Sequence, residues 1–193
     1  VLNADDEIYE ELRPLAAERG CRIYSYGRES EDIRLLNASS VASGQELSLE
    51  VLGRPENIFL PLIGFFQVSN ALCALGIVLA SGVRASSAVA ALACLKSVRG
   101  RMELVGRHPN GARVYVDYAH TPDALRAALA ALRPYAEGDL HVIFGCGGNR
   151  DQGKRYEMGD IARTMADQVF VTDDNPRNES PAAIRQAILE ACP

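Results

Sequence analysis

Three strand–helix units follow one another in the second half of the chain, and each strand ends in a polar loop. The segments RVYVDYA (113–119), LHVIFG (140–145) and QVFVT (168–172) are short and apolar, as is typical of buried strands. A helical pattern follows each of them, at 121–137, about 155–166 and 181–191. Alternating strands and helices predict a parallel, doubly wound sheet, so the expected fold class is α/β.

The three loops after these strands are DYAHTP, GCGGNRDQGK and TDDNPRNES. The carboxyl ends of parallel strands meet at one edge of a sheet, where open α/β folds bind their ligands. We therefore expect the three loops to lie close together and to form one site.

The glycine-rich loop nearly matches a phosphate-binding P-loop, because Gly148 is followed by Gly153 and Lys154 at the required spacing. The next residue is Arg155, where a magnesium-holding P-loop needs Ser or Thr. Glycines and a following helix N-terminus still suit an anion, and Arg150, Lys154 and Arg155 add positive charge. The alternative is a glycine-rich connection with solvated basic residues.

The other two loops carry side chains with two interpretations each. Asp117 either caps a turn or accepts hydrogen bonds from ribose hydroxyls, and His120 is either a structural hydrogen-bonding residue or a functional one. Asp174 either caps a turn or helps to bind an amino acid, and Arg177 is either a plain surface charge or forks onto a carboxylate. In the binding interpretation, Asn175 and Asp174 hold an ammonium group or a second carboxylate. Cys146 has no neighbouring base in the sequence, which argues against a nucleophile.

The first half of the chain has mixed α/β character. The patterns predict a helix at 5–20, a strand at 21–27, a hairpin between 46–53 and 56–64, and helices at 65–83 and 85–98, the last capped by Ser86 or Ser87. The sequence PNG at 109–111 predicts a turn between two short strands. We place a domain boundary at about 99–102, which gives domains of 1–100 and 101–193.

Composition excludes several classes of protein. The net charge is −5 and basic residues are scattered, which argues against a nucleic-acid or membrane partner. The five cysteines are odd in number and lack a Cys-x-x-Cys pair, which argues against a disulfide framework and a zinc site. The longest apolar stretch, 71–80, is too short to cross a bilayer, and no signal peptide is visible. A cytoplasmic protein is expected.

Four segments, in this order and spacing, carry a resemblance to a known family. GRMELV (100–105), VDYAHTPDAL (116–125), FGCGGNRDQGKR (144–155) and VTDDNPR (171–177) resemble the motifs of the Mur ligases, most closely the diaminopimelate-adding MurE type. NADD (3–6) and LPLIGFFQVSNALCALG (60–76) extend the resemblance over essentially the whole chain. It implies that 1–100 is the C-terminal part of a central, P-loop ATPase-type domain. Residues 101–193 would then be an incomplete, Rossmann-like C-terminal domain with a mainly parallel sheet.

The resemblance also implies an activity. Such enzymes use ATP and Mg²⁺ to form an amide bond through an acyl phosphate, here adding meso-diaminopimelate to UDP-N-acetylmuramoyl-L-alanyl-D-glutamate for peptidoglycan precursors. The partners would be that UDP-N-acetylmuramoyl dipeptide and meso-diaminopimelate, and a monomer is expected. The family's P-loop and magnesium ligands would lie upstream, so the isolated chain is expected to be inactive. The alternatives are a ligase of the same superfamily that adds L-lysine or resembles folylpolyglutamate synthetase, and a non-catalytic nucleotide- or amino-acid-binding module.

Residue roles follow from position in the resembling motifs. The implied ATP contacts are Asn70, Arg101, Asp117 and Lys154, and the implied catalytic residues are His120 and Lys154. The implied diaminopimelate pocket consists of Arg150, Asp174, Asn175 and Arg177. The chain departs from the family at Asn149 and Gln152, where Asp and Lys are common, so a positive charge near the loop is missing.

Overall fold

A computed structural model describes residues 1–192, which divide into two units between Val98 and Arg99. The strands of these residues are β1 (Leu2–Asn3), β2 (Ser25–Gly27), β3 (Ile33–Val41), β4 (Gly44–Val51), β5 (Arg54–Leu60), β6 (Glu103–Arg107), β7 (Arg113–Val116), β8 (His141–Phe144) and β9 (Gln168–Val171). The helices are α1 (Tyr9–Glu18), α2 (Phe65–Ala80), α3 (Ala85–Leu92), α4 (Pro122–Leu132), α5 (Gly153–Met165) and α6 (Pro181–Leu189). A short 3₁₀ turn, Arg133–Tyr135, follows α4.

The first unit is built on a five-stranded sheet in the order β1-β2-β3-β4-β5. The pairs β1–β2 and β2–β3 are parallel, whereas β3–β4 and β4–β5 are antiparallel. The predicted hairpin is confirmed as β4–β5. Its two-residue turn places Leu52 and Gly53 at φ angles of 51° and 75°, as a type I′ turn requires.

One face of this sheet is covered by helices. Alternation along β4 buries Leu47, Leu49 and Val51, and α2 and α3 pack their apolar residues into the same core. The predicted helix at 65–83 is confirmed as α2, which stops before Gly82 in its left-handed conformation. No helix in residues 1–192 combines the length and hydropathy needed to cross a membrane.

Local predictions for the first unit need correction. Strand β3 was not predicted, and the strand expected at 21–27 is confined to Ser25–Gly27. The cap at Ser86 or Ser87 is wrong, because extended Arg84 is the N-cap of α3 and its side chain makes no capping hydrogen bond. Helix α3 begins at Ala85, so both serines lie inside its first turn.

The second unit begins with an antiparallel hairpin, β6–β7. The predicted PNG turn is confirmed, with Gly111 at a φ of 93° and the Asn110 Oδ1 accepting a hydrogen bond from the Ala112 N–H. Strands β8 and β9 form a parallel pair whose last partners are Phe144 and Val171. The strand expected at 113–119 is shorter and comprises Arg113–Val116. It pairs only with β6, since no ladder in residues 1–192 joins β7 to β8.

Three helices enclose the core of the second unit. Thr121 is the N-cap of α4 and accepts a hydrogen bond from the Ala124 N–H, which confirms the predicted cap. Helix α5 lies against both α4 and α6, and the core joins apolar side chains of all three helices with β8 and β9. The buried members are Leu125, Leu129, Leu140, Cys146, Met158, Ile161, Ala162, Ile184 and Ile188.

Helices α5 and α6 approach each other at Gly159. A methyl group added there would overlap the Ile188 carbonyl oxygen and come within 3.2 Å of the Ala191 Cβ. The packing of α6 on α5 therefore depends on the absence of a side chain at this position.

We expect Gly159→Ala to destabilise the chain by about 1–3 kcal/mol, as overpacking does. In an open helix the same change would stabilise by about 1 kcal/mol, so the sign of the effect tests the contact. Urea unfolding of the 193-residue chain measures it. Gly138→Ala is the matched control, since nothing lies within 4 Å of a Cβ there. A neutral or stabilising Gly159→Ala contradicts the packing.

Candidate functional site

The glycine-rich loop and the DDNPR loop leave the parallel pair side by side, because Phe144 and Val171 are register partners. The Gly148 N–H donates to the Asn175 carbonyl over 2.9 Å. In return, the Arg177 Nη1 donates to the Gly148 carbonyl over 2.8 Å. A Cβ at Gly148 would overlap the Pro176 carbonyl, so glycine is required for this approach.

The DYAHTP loop reaches the same region through one contact. The Lys154 Nζ, in the first turn of α5, donates to the His120 carbonyl over 2.8 Å. The His120 Nδ1 donates to the Tyr118 carbonyl over 3.1 Å, so Nδ1 carries a proton and Nε2 is directed away from this contact. Although β7 and β8 share no ladder, the structure brings His120 and Lys154 together.

Asp117 serves as a local cap. Its Oδ1 accepts a hydrogen bond from the Met102 N–H over 2.8 Å, and its Oδ2 accepts one from the Ala119 N–H over 3.0 Å. Met102 has a φ of 48°, and the carboxylate holds it in that strained conformation. Each oxygen retains a second lone pair, so the capping role leaves room for a hydroxyl donor.

Arg101 lies close to the same loop. Its guanidinium carbon is 4.9 Å from the centre of the Tyr118 ring, and that ring meets the His120 imidazole edge-on at 5.2 Å. The Tyr118 ring is largely exposed, so the cation–π contact lies at the surface of the unit. The structure therefore gathers Arg101, Asp117, His120 and Lys154 around the DYAHTP loop.

The amino-acid side of the predicted site is arranged around Arg177. Besides its contact with Gly148, the Arg177 Nη1 lies 3.4 Å from the Asn175 carbonyl, whereas Nε and Nη2 have no partner in residues 1–192. Asp174 Oδ1 accepts from the Asn175 N–H over 2.7 Å. Arg150 is exposed and makes no hydrogen bond or ion pair within the same residues. Two guanidinium groups thus retain donors for a ligand.

The prediction that Arg150, Lys154 and Arg155 all add positive charge to the loop is wrong for Arg155. Its side chain is only 5% exposed, and Nη1 and Nη2 each bind one oxygen of Glu179 at 2.9 Å. Glu179 also accepts from the Asn149 N–H. Hydrogen bonds from Arg155 and from the Asn149 N–H hold the pKa of Glu179 below its usual range. Sequence reasoning missed Glu179, because no local pattern pairs two residues 24 positions apart.

Asn70 belongs to the first unit, in α2. It is exposed, and its Nδ2 donates to the Gln67 Oε1 over 3.3 Å.

Cys146 lies inside the second core rather than in the loop surface. Its thiol is 2% exposed and contacts the Met158 sulfur at 3.7 Å. Burial raises the pKa of the Cys146 thiol above its usual value. A neutral, enclosed thiol is a packing group, which argues further against the nucleophile.

The donors gathered in the second unit suit an anionic, hydroxyl-bearing ligand. The Lys154 ammonium and the N-terminus of α5 favour phosphate oxygens, and Asp117 can accept from hydroxyls. No group of three or more His, Cys, Asp or Glu side chains in the described part of the chain could hold a metal ion. The ammonium, helix N-terminus and carboxylate together have the chemistry that phosphates and a ribose require.

Family comparison identifies both halves of the chain. Residues 1–78 match the family model described as the Mur ligase middle domain, and residues 100–192 match that of the Mur ligase glutamate ligase domain. A curated relative from Zymomonas mobilis, named UDP-N-acetylmuramoyl-L-alanyl-D-glutamate–2,6-diaminopimelate ligase, is 51% identical over the whole chain. The chain spans 40% of the length of that relative.

Solved structures agree with this assignment. A structure of a UDP-N-acetylmuramoyl-L-alanyl-D-glutamate–2,6-diaminopimelate ligase has a TM-score of 0.65 and 30% identity, covering 98% of this chain and 39% of its own. A folylpolyglutamate synthase from Mycobacterium tuberculosis, complexed with ADP and AMPPCP, has a TM-score of 0.75 and 25% identity, covering 94% of this chain and 40% of its own.

Thiol labelling tests the enclosure of Cys146. We expect Cys21 and Cys94, which are exposed, to react quickly with a disulfide reagent in the native chain. Cys146 should react at least about 100-fold more slowly, because its thiol needs local opening and deprotonation. The rates are assigned by peptide mass analysis, and labelling in denaturant gives the unprotected rate. Equal native rates at Cys146 and Cys21 would refute the buried position.

Proposed function

The chain belongs to the Mur ligase family, and from this premise we propose that it forms part of an ATP-dependent ligase that adds meso-diaminopimelate to UDP-N-acetylmuramoyl-L-alanyl-D-glutamate. The amide bond would form through an acyl phosphate on the D-glutamate side chain, as a step in the synthesis of peptidoglycan precursors in the cytoplasm. ATP and Mg²⁺ are the proposed cofactors. The name of the Zymomonas mobilis relative supports the choice of substrates.

One observation carries the proposal: two sets of polar side chains flank the glycine-rich loop. Lys154 and His120 meet on one side, while Arg177 and Asn175 contact Gly148 on the other. A loop of this kind can hold a phosphate-bearing group and an amino acid at a fixed separation, which lowers the barrier to their reaction.

Each side of the loop has a proposed task. ATP, when bound, supplies the phosphoryl group. Lys154 would neutralise phosphate oxygens and Asp117 would accept from ribose hydroxyls, with Arg101 and Asn70 as further nucleotide contacts. His120 would lie near the reacting carboxylate. Arg150, Asp174, Asn175 and Arg177 would bind diaminopimelate.

The donors of Arg177 allow it to brace the loop and to bind substrate at the same time. Nη1 is used on the Gly148 carbonyl, but Nε and Nη2 together form the side edge of the guanidinium. That edge matches the two oxygens of a carboxylate. Diaminopimelate carries a carboxylate at the far end of its side chain, where L-lysine has none, so Arg177 is the proposed specificity residue.

We expect the full-length enzyme to prefer meso-diaminopimelate over L-lysine by about 10⁴-fold in kcat/KM, because lysine has no second carboxylate to pair with the Arg177 guanidinium. Arg177→Ala should reduce that ratio by at least about 100-fold. The measurement is phosphate release with each amino acid. Arg126→Ala, an exposed arginine on α4, is the matched control and should leave the ratio unchanged. Equal use of lysine by the wild type would favour the lysine-adding alternative, and an unchanged ratio in Arg177→Ala would remove Arg177 from the pocket.

A second expectation concerns the 193-residue chain by itself. It contains no G-x-x-x-x-G-K sequence followed by Ser or Thr, and it spans 40% of its Zymomonas mobilis relative. We expect it to release no phosphate from ATP in the presence of both acceptor substrates, in an assay where the full-length enzyme is active. Turnover near that of the full-length enzyme would contradict the proposal that ATP hydrolysis needs residues outside this chain.

A further inference from the structure

A partly buried ion pair joins α5 to the loop before α6. Arg155, in the first turn of α5, is 5% exposed at its side chain, and Glu179, in the loop before α6, is 23% exposed. The two planar groups face each other with both oxygens engaged: Nη1 to Oε2 and Nη2 to Oε1, each at 2.9 Å. This is the bidentate arrangement that fixes orientation as well as distance.

Such a pair is poorly explained by stability alone. Removing the Arg155 charge from water is costly, and apolar residues of similar volume often stabilise a core at least as well. The Arg155 Nε adds to the cost, since it is buried without a hydrogen-bond partner in residues 1–192. A pair that carries this cost is a candidate for a geometric role.

The contacts of Glu179 show what that role is. Besides Arg155, its carboxylate accepts from the Asn149 N–H, and Asn149 has a left-handed φ of 52°. The Asn149 Oδ1 in turn accepts from the Asn178 N–H over 3.1 Å. One carboxylate therefore ties together the glycine-rich loop, the first turn of α5 and the loop after β9.

The residues fixed in this way are neighbours of the proposed binding residues. Arg150 follows Asn149, Lys154 precedes Arg155, and Arg177 lies two positions before Glu179. We propose that the Arg155–Glu179 pair is a positioning device that sets Arg150, Lys154 and Arg177 relative to one another, without touching substrate. This inference rests on the proposed function of the loops.

The Glu179 carboxylate accepts from three donors, namely two Arg155 nitrogens and the Asn149 N–H. Its negative charge and its two acceptor oxygens are therefore both required. Glu179→Gln removes the charge and replaces one acceptor oxygen with a donor, so it cannot bind both Arg155 nitrogens and the Asn149 N–H. The loop would lose its fixed position while the backbone contacts between Gly148 and Asn175 remain. The mechanism therefore predicts a loss of alignment rather than a loss of fold.

The test is steady-state kinetics of the full-length ligase carrying Glu179→Gln. We expect kcat to fall about 10-fold to 100-fold and the KM for the amino acid to rise. A displacement of the reacting groups by about 1 Å lowers the rate by a factor of this size. Hydrogen exchange of peptides covering residues 145–152 should accelerate in the same variant. Glu157→Gln, which removes an exposed carboxylate from α5, is the matched control and should change neither.

A double variant separates positioning from stability. Arg155→Met with Glu179→Leu replaces the pair by apolar groups and should recover the Tm that Glu179→Gln loses. It cannot restore the acceptor for the Asn149 N–H, so kcat/KM should stay low and the loop should still exchange quickly. Recovery of both Tm and kcat/KM would overturn the positioning role and leave a purely structural one.

The outcomes also separate this inference from the proposed function. If the wild type ligates lysine instead of diaminopimelate, the substrate proposal fails and the same variants are measured with lysine. If the wild type is active and Glu179→Gln matches Glu157→Gln in both readouts, only the positioning role is overturned. If the wild type uses neither amino acid, the proposed function is refuted and the inference that rests on it is refuted too.

Discussion

The backbone contact between Gly148 and Asn175 is the constraint on which the rest of the site depends. The two loops approach so closely that the Gly148 N–H reaches the Asn175 carbonyl, and any Cβ at Gly148 would overlap Pro176. Because β8 and β9 are parallel and their last residues are register partners, both loops begin side by side at the same edge of the pair. A guanidinium can then bridge from one loop to the carbonyl of the other, which fixes where its remaining donors point.

Much of this arrangement could be predicted from the sequence, because it follows from topology. Strands that alternate with helices place their loops at one edge, and the polar composition of those loops marks that edge as a candidate site. The caps and turns with local signals, Thr121 and the PNG turn, were predicted for the same reason: their hydrogen bonds join residues a few positions apart. The roles of the site residues themselves stay predictions.

The parts that sequence reasoning missed depend on distant partners. Strand β3 contains Asn37, Ser39 and Ser40, which weaken its strand pattern, and its long antiparallel pairing with β4 compensates for that weakness. The burial of Arg155 depends on Glu179, which no local pattern connects to it. In the sequence, Arg155 is one of three basic residues in a loop, and only the structure distinguishes the enclosed arginine from Arg150, which remains exposed.

Of the basic residues in these loops, Arg155 is buried, whereas Arg150, Lys154 and Arg177 are not. This difference matters for binding. Arg150, Lys154 and Arg177 would repel one another if a flexible loop carried them, and the anion would have to order them on arrival at a cost in entropy. The Glu179 carboxylate neutralises Arg155 and accepts from the Asn149 N–H. In the proposed site, part of that entropic cost would therefore be met during folding. A site prepared in this way would favour the aligned arrangement of phosphate and amino acid, from which the proposed ligase reaction would gain its rate.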